Sequence, residues 1–235
     1  MTIKLVKKTF SIKQNMIQLF KAESCYIDKA ETILFIGVFH GDEPEGEHLI
    51  LNLINEINKN SELIKNNIIL FIPVLNPDGK ELKTRGNANG VDLNRNFPTK
   101  NWLLSSNKDA YFSGTSPASE IETKFLIEII QEYKPHKIIT LHTPYKIVNY
   151  DGPAKKLAKK ISELNGYPIQ KDIGYATPGS FGTYYGMERN IPVITLELPE
   201  NIDINTLWEE NKTAFFYIIS SSNQIEKHNK NNPLV

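Results

Sequence analysis

Leu34-Phe-Ile-Gly-Val-Phe-His-Gly-Asp-Glu-Pro-Glu-Gly-Glu-His-Leu49 carries an apolar run into a histidine, a glycine and a group of acids, and then into helical periodicity. Ile, Val and Phe closed by glycine read as a buried strand, here residues 33–39. That strand delivers His40 to its carboxyl end, where open α/β sheets place their ligands. Glu43 follows three residues on, near enough for imidazole and carboxylate to converge on one ion. Both are good zinc ligands, and two of them leave room for a third and a water. Taken alone, such a pair is more often a satisfied core histidine beside a solvated acidic turn. The rest of the chain reverses that reading.

Downstream, residues 44–59 repeat Leu49, Leu53, Ile54 and Ile57 at the helical period. A second apolar strand spans 67–75 and ends in the turn chemistry of Asn76-Pro-Asp-Gly79. A polar segment then runs to Ala118, and loops of that length in a compact domain are usually functional. Residues 119–133 read as a helix with Phe125, Ile129 and Ile130 on one side, stopped by Pro135. A third strand, 137–141, ends on His142. A helix over 153–164 closes at Gly166. A glycine-rich loop over 174–186 leads to a strand at 191–198 and a last helix at 205–219. Upstream, residues 2–31 fit either two edge strands or a strand and a helix. Strands alternating with helices predict an α/β fold: a three-layer α/β/α sandwich around a mixed, largely parallel central sheet. The expectation is one catalytic domain over 1–235, with a polar tail from about 222.

Bulk properties narrow the function. The 235 residues are 40% hydrophobic and 23% charged, enough apolar content for a sizeable core. Net charge is zero, so no electrostatic excess draws a nucleic acid. Cys25 is the only cysteine, which rules out an intrachain disulfide and suggests no other role. No run approaches a membrane span. The amino-terminal lysines precede no apolar core of signal-peptide type, so the expected location is cytoplasmic, or periplasmic if a leader was trimmed.

Three further features carry chemistry. His142 repeats the placement of His40, and a His-Glu-His set with one open position is the ligand count of a catalytic zinc. Glu197 sits within Val193-Ile-Thr-Leu-Glu-Leu-Pro199, an apolar strand where a carboxylate is costly. It is either a general base beside the metal or the partner of an internal cation. Arg85 and Arg95 flank Arg85-Gly-Asn-Ala-Asn-Gly-Val-Asp-Leu-Asn-Arg-Asn-Phe-Pro98, which lacks the pattern of a phosphate loop. Guanidinium forks suit a carboxylate and an oxyanion, and they equally suit stitching a long loop to a core.

His40-x-x-Glu43, Asn94-Arg95, His142 and Glu197, in that order, resemble the zinc metallocarboxypeptidase family over residues 33–199. Four stretches resemble its bacterial murein-peptide amidase branch more than its digestive members. They are Asn76-Pro-Asp-Gly79, Asn87 to Pro98, Ser113-Gly-x-x-Pro-x-Ser-Glu-x-Glu-Thr123, and Gly174-Tyr-x-Thr-Pro-Gly-Ser-Phe-Gly182. The resemblance implies one zinc per chain on His40, Glu43 and His142, with Glu197 as general base and Arg85 as carbonyl polariser. It implies Asn94 and Arg95 on the substrate carboxylate, Tyr175 closing over it, and Thr183 and Asp151 completing the substrate-binding set. The reaction it implies is hydrolysis of the γ-D-glutamyl–meso-diaminopimelate amide in a murein tripeptide or related peptide. The segment 142–154 departs from the amidase pattern, which bears on diaminopimelate selection. Competing expectations are a zinc deacylase of small N-acyl amino acids and a catalytically silent murein-peptide binder.

Overall fold

The computed structural model of the protein describes residues 3–23, 30–64, 67–105 and 110–221. Cys25 and the tail from 222 lie outside these residues. Eight strands form one sheet: β1 (Lys4–Phe10), β2 (Met16–Glu23), β3 (Thr32–Ile36), β4 (Ile68–Ile72), β5 (Lys137–His142), β6 (Tyr145–Asp151), β7 (Ile169–Gln170) and β8 (Val193–Pro199). Their order is β1-β2-β4-β3-β5-β8-β6-β7. The middle four run parallel, and β2 and β6 flank them antiparallel. The helices are α1 (Glu45–Lys59), α2 (Pro77–Leu82), α3 (Ile121–Tyr133), α4 (Lys155–Asn165) and α5 (Ile204–Ser220).

The two-residue period of the strands sorts the core into two clusters. Ile33, Phe35, Ile69, Phe71 and Ile139 face α1, α4 and α5 through Leu49, Leu53, Ala158, Ile161 and Phe215. Leu34, Ile36, Leu70, Ile72 and Ile138 face the other way, onto Phe125, Leu126 and Ile129 of α3 and onto Phe97 and Phe181. Burying each such side chain stabilises the fold by about 1.5–3 kcal/mol. Because both faces are covered, the central strands are apolar without alternation. The result is the three-layer sandwich with a mixed sheet.

Several boundaries differ from the sequence expectation. β3 leaves the ladder at Ile36, not at residue 39. A Cβ on Gly37 would lie 2.5 Å from the Pro73 carbonyl oxygen, and Val38 takes φ +50°. That region is costly for a β-branched residue. Leu75 N donates to Gly37 O and Asn76 N to Val38 O, so the chain leaving β4 pins the chain leaving β3. His40 therefore stands beyond its strand. The Asn76–Gly79 turn is the start of α2, whose Asn76 side chain accepts from Gly79 N at 2.9 Å. The described part of residues 2–31 forms two strands, of which only β1 is an edge, since β2 pairs with β1 on one side and β4 on the other. β6 lies in a stretch to which the sequence pattern assigns no element, because Ile147, Val148 and Tyr150 lie among polar residues and follow no clean alternation.

Gly41 lies where two backbones meet: a Cβ there would be 1.9 Å from Gly79 C and 2.3 Å from Gly79 O. Gly41→Ala should cost at least about 1–3 kcal/mol, because backbone on both sides cannot yield as a side chain can. Urea unfolding at fixed metal content measures this. An unchanged midpoint would show that the 41–79 contact gives way freely.

Candidate metal centre and its cleft

Side chains from the carboxyl ends of the parallel strands converge on one point. His40 and Glu43 come from the segment after β3, His142 from the last residue of β5, and Glu197 from β8, where it is the ladder partner of His142. His40 Nδ1 lies 2.7 Å from Glu43 Oε1, His142 Nδ1 lies 3.0 Å from Glu43 Oε2, and the two Nδ1 atoms are 3.3 Å apart. Among the described residues these three form the one group that could hold a metal ion. Two imidazole nitrogens and a carboxylate are the donor set of a catalytic zinc.

A second layer holds the first. The other nitrogen of His40, Nε2, is 3.0 Å from Asp92 Oδ1, which fixes the ring and leaves Nδ1 facing the cleft. Asp92 is fully buried and also accepts from Arg85 Nε at 2.9 Å and Asn94 N at 2.8 Å. His142 stacks against Phe39 with centroids 5.3 Å apart. Asp92 belongs to the arginine segment but was not singled out by the sequence. A carboxylate 52 residues from His40 gives no local signal of touching it.

The electrostatics follow from crowding charge out of water. Burial alone would depress the His40 imidazolium, but the Asp92 and Glu43 carboxylates outweigh it and lift its pKa to about 9. Burial would raise Glu43 and Asp92, yet the facing His40 charge holds both well below the usual carboxylate range. Burial lowers His142, so it is the neutral imidazole of the pair. Glu197 is pushed up to about 8, first by burial and then by Glu43. Its Oε2 is buried without a hydrogen-bond partner among the described residues, so among them it is not the ion-paired strand residue of the competing reading.

The group opens into a cleft of ≈ 300 Å³ lined also by Arg85, Asn94, Arg95, Asp151 and Tyr175. Asn94 Oδ1 accepts from Phe181 N at 2.9 Å, which turns its NH₂ outward. Arg95 is 5% exposed, makes no ion pair among the described residues, and donates only from Nη1 to Asn94 O at 2.7 Å. A buried guanidinium so thinly partnered calls for an anion. Asp151 fits beneath a glycine pair: a Cβ on Gly182 would lie 2.1 Å from its Oδ2, and one on Gly186 2.4 Å from its Cβ. Burial raises the Asp151 pKa and Lys171 opposes the shift. Tyr175 stands half-exposed at the rim. Thr183 does not line the cleft, and its hydroxyl accepts from Ser180 at 2.9 Å, which does line it. Tyr111, absent from the sequence expectation, lines the cleft beside both arginines. No helix among the described residues is long and apolar enough to cross a membrane.

A family profile described as zinc carboxypeptidase matches residues 3–166. Murein peptide amidase A of Vibrio campbellii is 37% identical over 172 residues, which cover 68% of this chain and 66% of that protein. The protein of the same name in Escherichia coli K12 is 31% identical over 180 residues, 72% of each chain. Among solved structures, the murein-tripeptide amidase of Escherichia coli O157 superposes with a TM-score of 0.69 at 25% identity, covering 91% of this chain and 90% of that one. Carboxypeptidase A of Helicoverpa armigera superposes at 0.76 with 19% identity over 92% of this chain and 66% of that one, a likeness of fold.

Two measurements test the charge assignments. Glu43 is already ionised and His142 already neutral, so zinc entering at pH 7 should displace the proton of His40, and a second from Glu197 to the extent that the dication lowers its pKa. Calorimetric titration in two buffers of different ionisation enthalpy counts them, and zero protons released would contradict the charged His40. In the metal-free protein, the Glu197 carboxyl titrates near 8 when folded against 4.5 as a free group. Between these values the unfolded chain binds fewer protons, so stability falls as pH rises through the window and levels off above about 8. Melts of chelator-treated wild type and Glu197→Gln from pH 5 to 9 should show the wild type losing ground to the variant across that window. A constant difference would refute the shift.

Proposed function

We propose that this chain, which belongs to the zinc carboxypeptidase family and is a zinc metallopeptidase, hydrolyses the γ-D-glutamyl–meso-diaminopimelate amide of murein peptides. The names of its relatives supply the substrate class. The observation that carries the reading is the pairing, within one cleft, of a buried Arg95 lacking an ion pair with an Asp151 carboxylate set in a glycine cradle. Diaminopimelate joined to γ-D-glutamate presents a free carboxylate beside the scissile amide and an ammonium at its far end. Arg95 and the outward Asn94 NH₂ receive the first, and Asp151 receives the second.

His40 Nδ1, His142 Nδ1 and a Glu43 oxygen would hold the zinc, which would supply Lewis-acid polarisation of the scissile carbonyl and a more acidic water. Asp92 keeps His40 in the tautomer that offers Nδ1. Glu197 removes the proton of the attacking water and returns it to the departing amine. Its raised pKa makes it a stronger base than an ordinary carboxylate, and with zinc bound the value would fall back toward neutrality, where one group serves both transfers. Arg85, anchored by Asp92, turns its remaining donors to the oxygen on which charge develops.

The zinc-loaded protein should cleave a murein tripeptide and leave small N-acyl amino acids intact. Replacing diaminopimelate by 2-aminopimelate removes the far ammonium while keeping the far carboxylate, and should lower kcat/KM roughly 30-fold or more, as loss of a desolvated charge partner does. Asp151→Asn should erase most of that discrimination. Inertness toward the tripeptide, or preferential hydrolysis of N-acyl amino acids, would overturn the assignment.

A further inference from the structure

The two arginines of the cleft are held very differently. Arg85 donates to Asp92 at 2.9 Å and reaches Glu43 at 3.5 Å, so carboxylates fix its place. Among the described residues Arg95 has a single hydrogen bond, to the carbonyl of its neighbour Asn94. What else touches its guanidinium is an aromatic face: the centroid of Tyr111 lies 5.3 Å from Arg95 Cζ and 5.0 Å from Arg85 Cζ. A cation on a ring face is attracted by the ring quadrupole, and more strongly where water is excluded. Tyr111 is itself 49% exposed, with Tyr175 6.4 Å away between centroids. Tyr111 and Arg95 also line a second, apolar cavity with Leu103, Leu104 and Pro178. Truncating the ring would join the two spaces and free the guanidinium to turn.

We infer that Tyr111 is a positioning residue for the substrate carboxylate: its ring lies against both guanidiniums and aims Arg95, which among the described residues is otherwise held only by its bond to Asn94 O, at the anion. The inference rests on the carboxylate-clamp reading above but not on which amide is cut. A ring face leaves the guanidinium edges unoccupied, so the N–H fork stays available for two parallel hydrogen bonds. A carboxylate in the same place would fix Arg95 equally well and compete with the ligand. Because Arg85 keeps its carboxylate anchors without the ring, the loss should fall on binding rather than on the chemical step.

Wild type, Tyr111→Phe and Tyr111→Leu should be compared on a murein tripeptide and on its analogue with the carboxylate next to the scissile bond amidated. Tyr111→Leu should raise KM about tenfold for the free carboxylate, with kcat within about twofold, and leave the amidated peptide unchanged, while Tyr111→Phe behaves as wild type. Binding of N-acetyl-lysine against N-acetyl-lysinamide, followed calorimetrically, separates the inference from the amidase reading because it needs no turnover. The leucine variant should lose affinity for the acid alone. Equal effects of Phe and Leu, equal losses on acid and amide, or the same affinity of all three proteins for N-acetyl-lysine, none included, would overturn the role of the ring.

Discussion

The buried Asp92 carboxylate ties the metal-binding side of the cleft to its substrate-binding side. One oxygen receives His40 and the Asn94 amide, and the other receives Arg85. The same side chain therefore sets the tautomer of His40, the reach of Arg85, and the start of the turn that carries Asn94 and Arg95. Burying a lone carboxylate is expensive, and here three donors, two of them carrying charge, offset that cost. Weakening any one leaves the other two facing an under-compensated anion. The network should accordingly fail together rather than by parts.

Charge around the centre is arranged so that no group stands without a reason. Glu43 and Asp92 bracket His40, and the histidine bears the proton that a metal ion replaces. His142, against Phe39 and fully buried, stays neutral. Glu197 is near enough to Glu43 to be pushed up by it, yet it has no partner on Oε2. A purely structural glutamate in a parallel strand would have been given a donor.

Much of this was legible in the chain, for physical reasons that differ from residue to residue. The strands before His40 and His142 are apolar on both faces, and a polar residue closing such a run stands out. Glu197 stood out in the same way. The helices over Glu45–Lys59 and Ile121–Tyr133 followed from period and stop signals, Pro135 among them. Asp92 and Tyr111 did not show, because their meaning lies in contacts made across the fold and their own neighbourhoods are ordinary loop sequence. β6 was hidden because its pattern follows neither period, and β3 was read too long because Val38 and Phe39 remain buried after the ladder ends.

The sheet has a seam. β1, β2, β4 and β3 form its first half and β5, β8, β6 and β7 the second, and only the β3–β5 ladder joins them. His40 follows the last strand on one side of that join and His142 closes the first strand on the other, 102 residues apart. An ion bound to both is thus a clip across the molecule, closing a long loop of chain as a disulfide would. The two halves are also sequential in synthesis, so the clip can form only after most of the polypeptide has been made. A bound metal then certifies that the two sides of the β3–β5 join have docked.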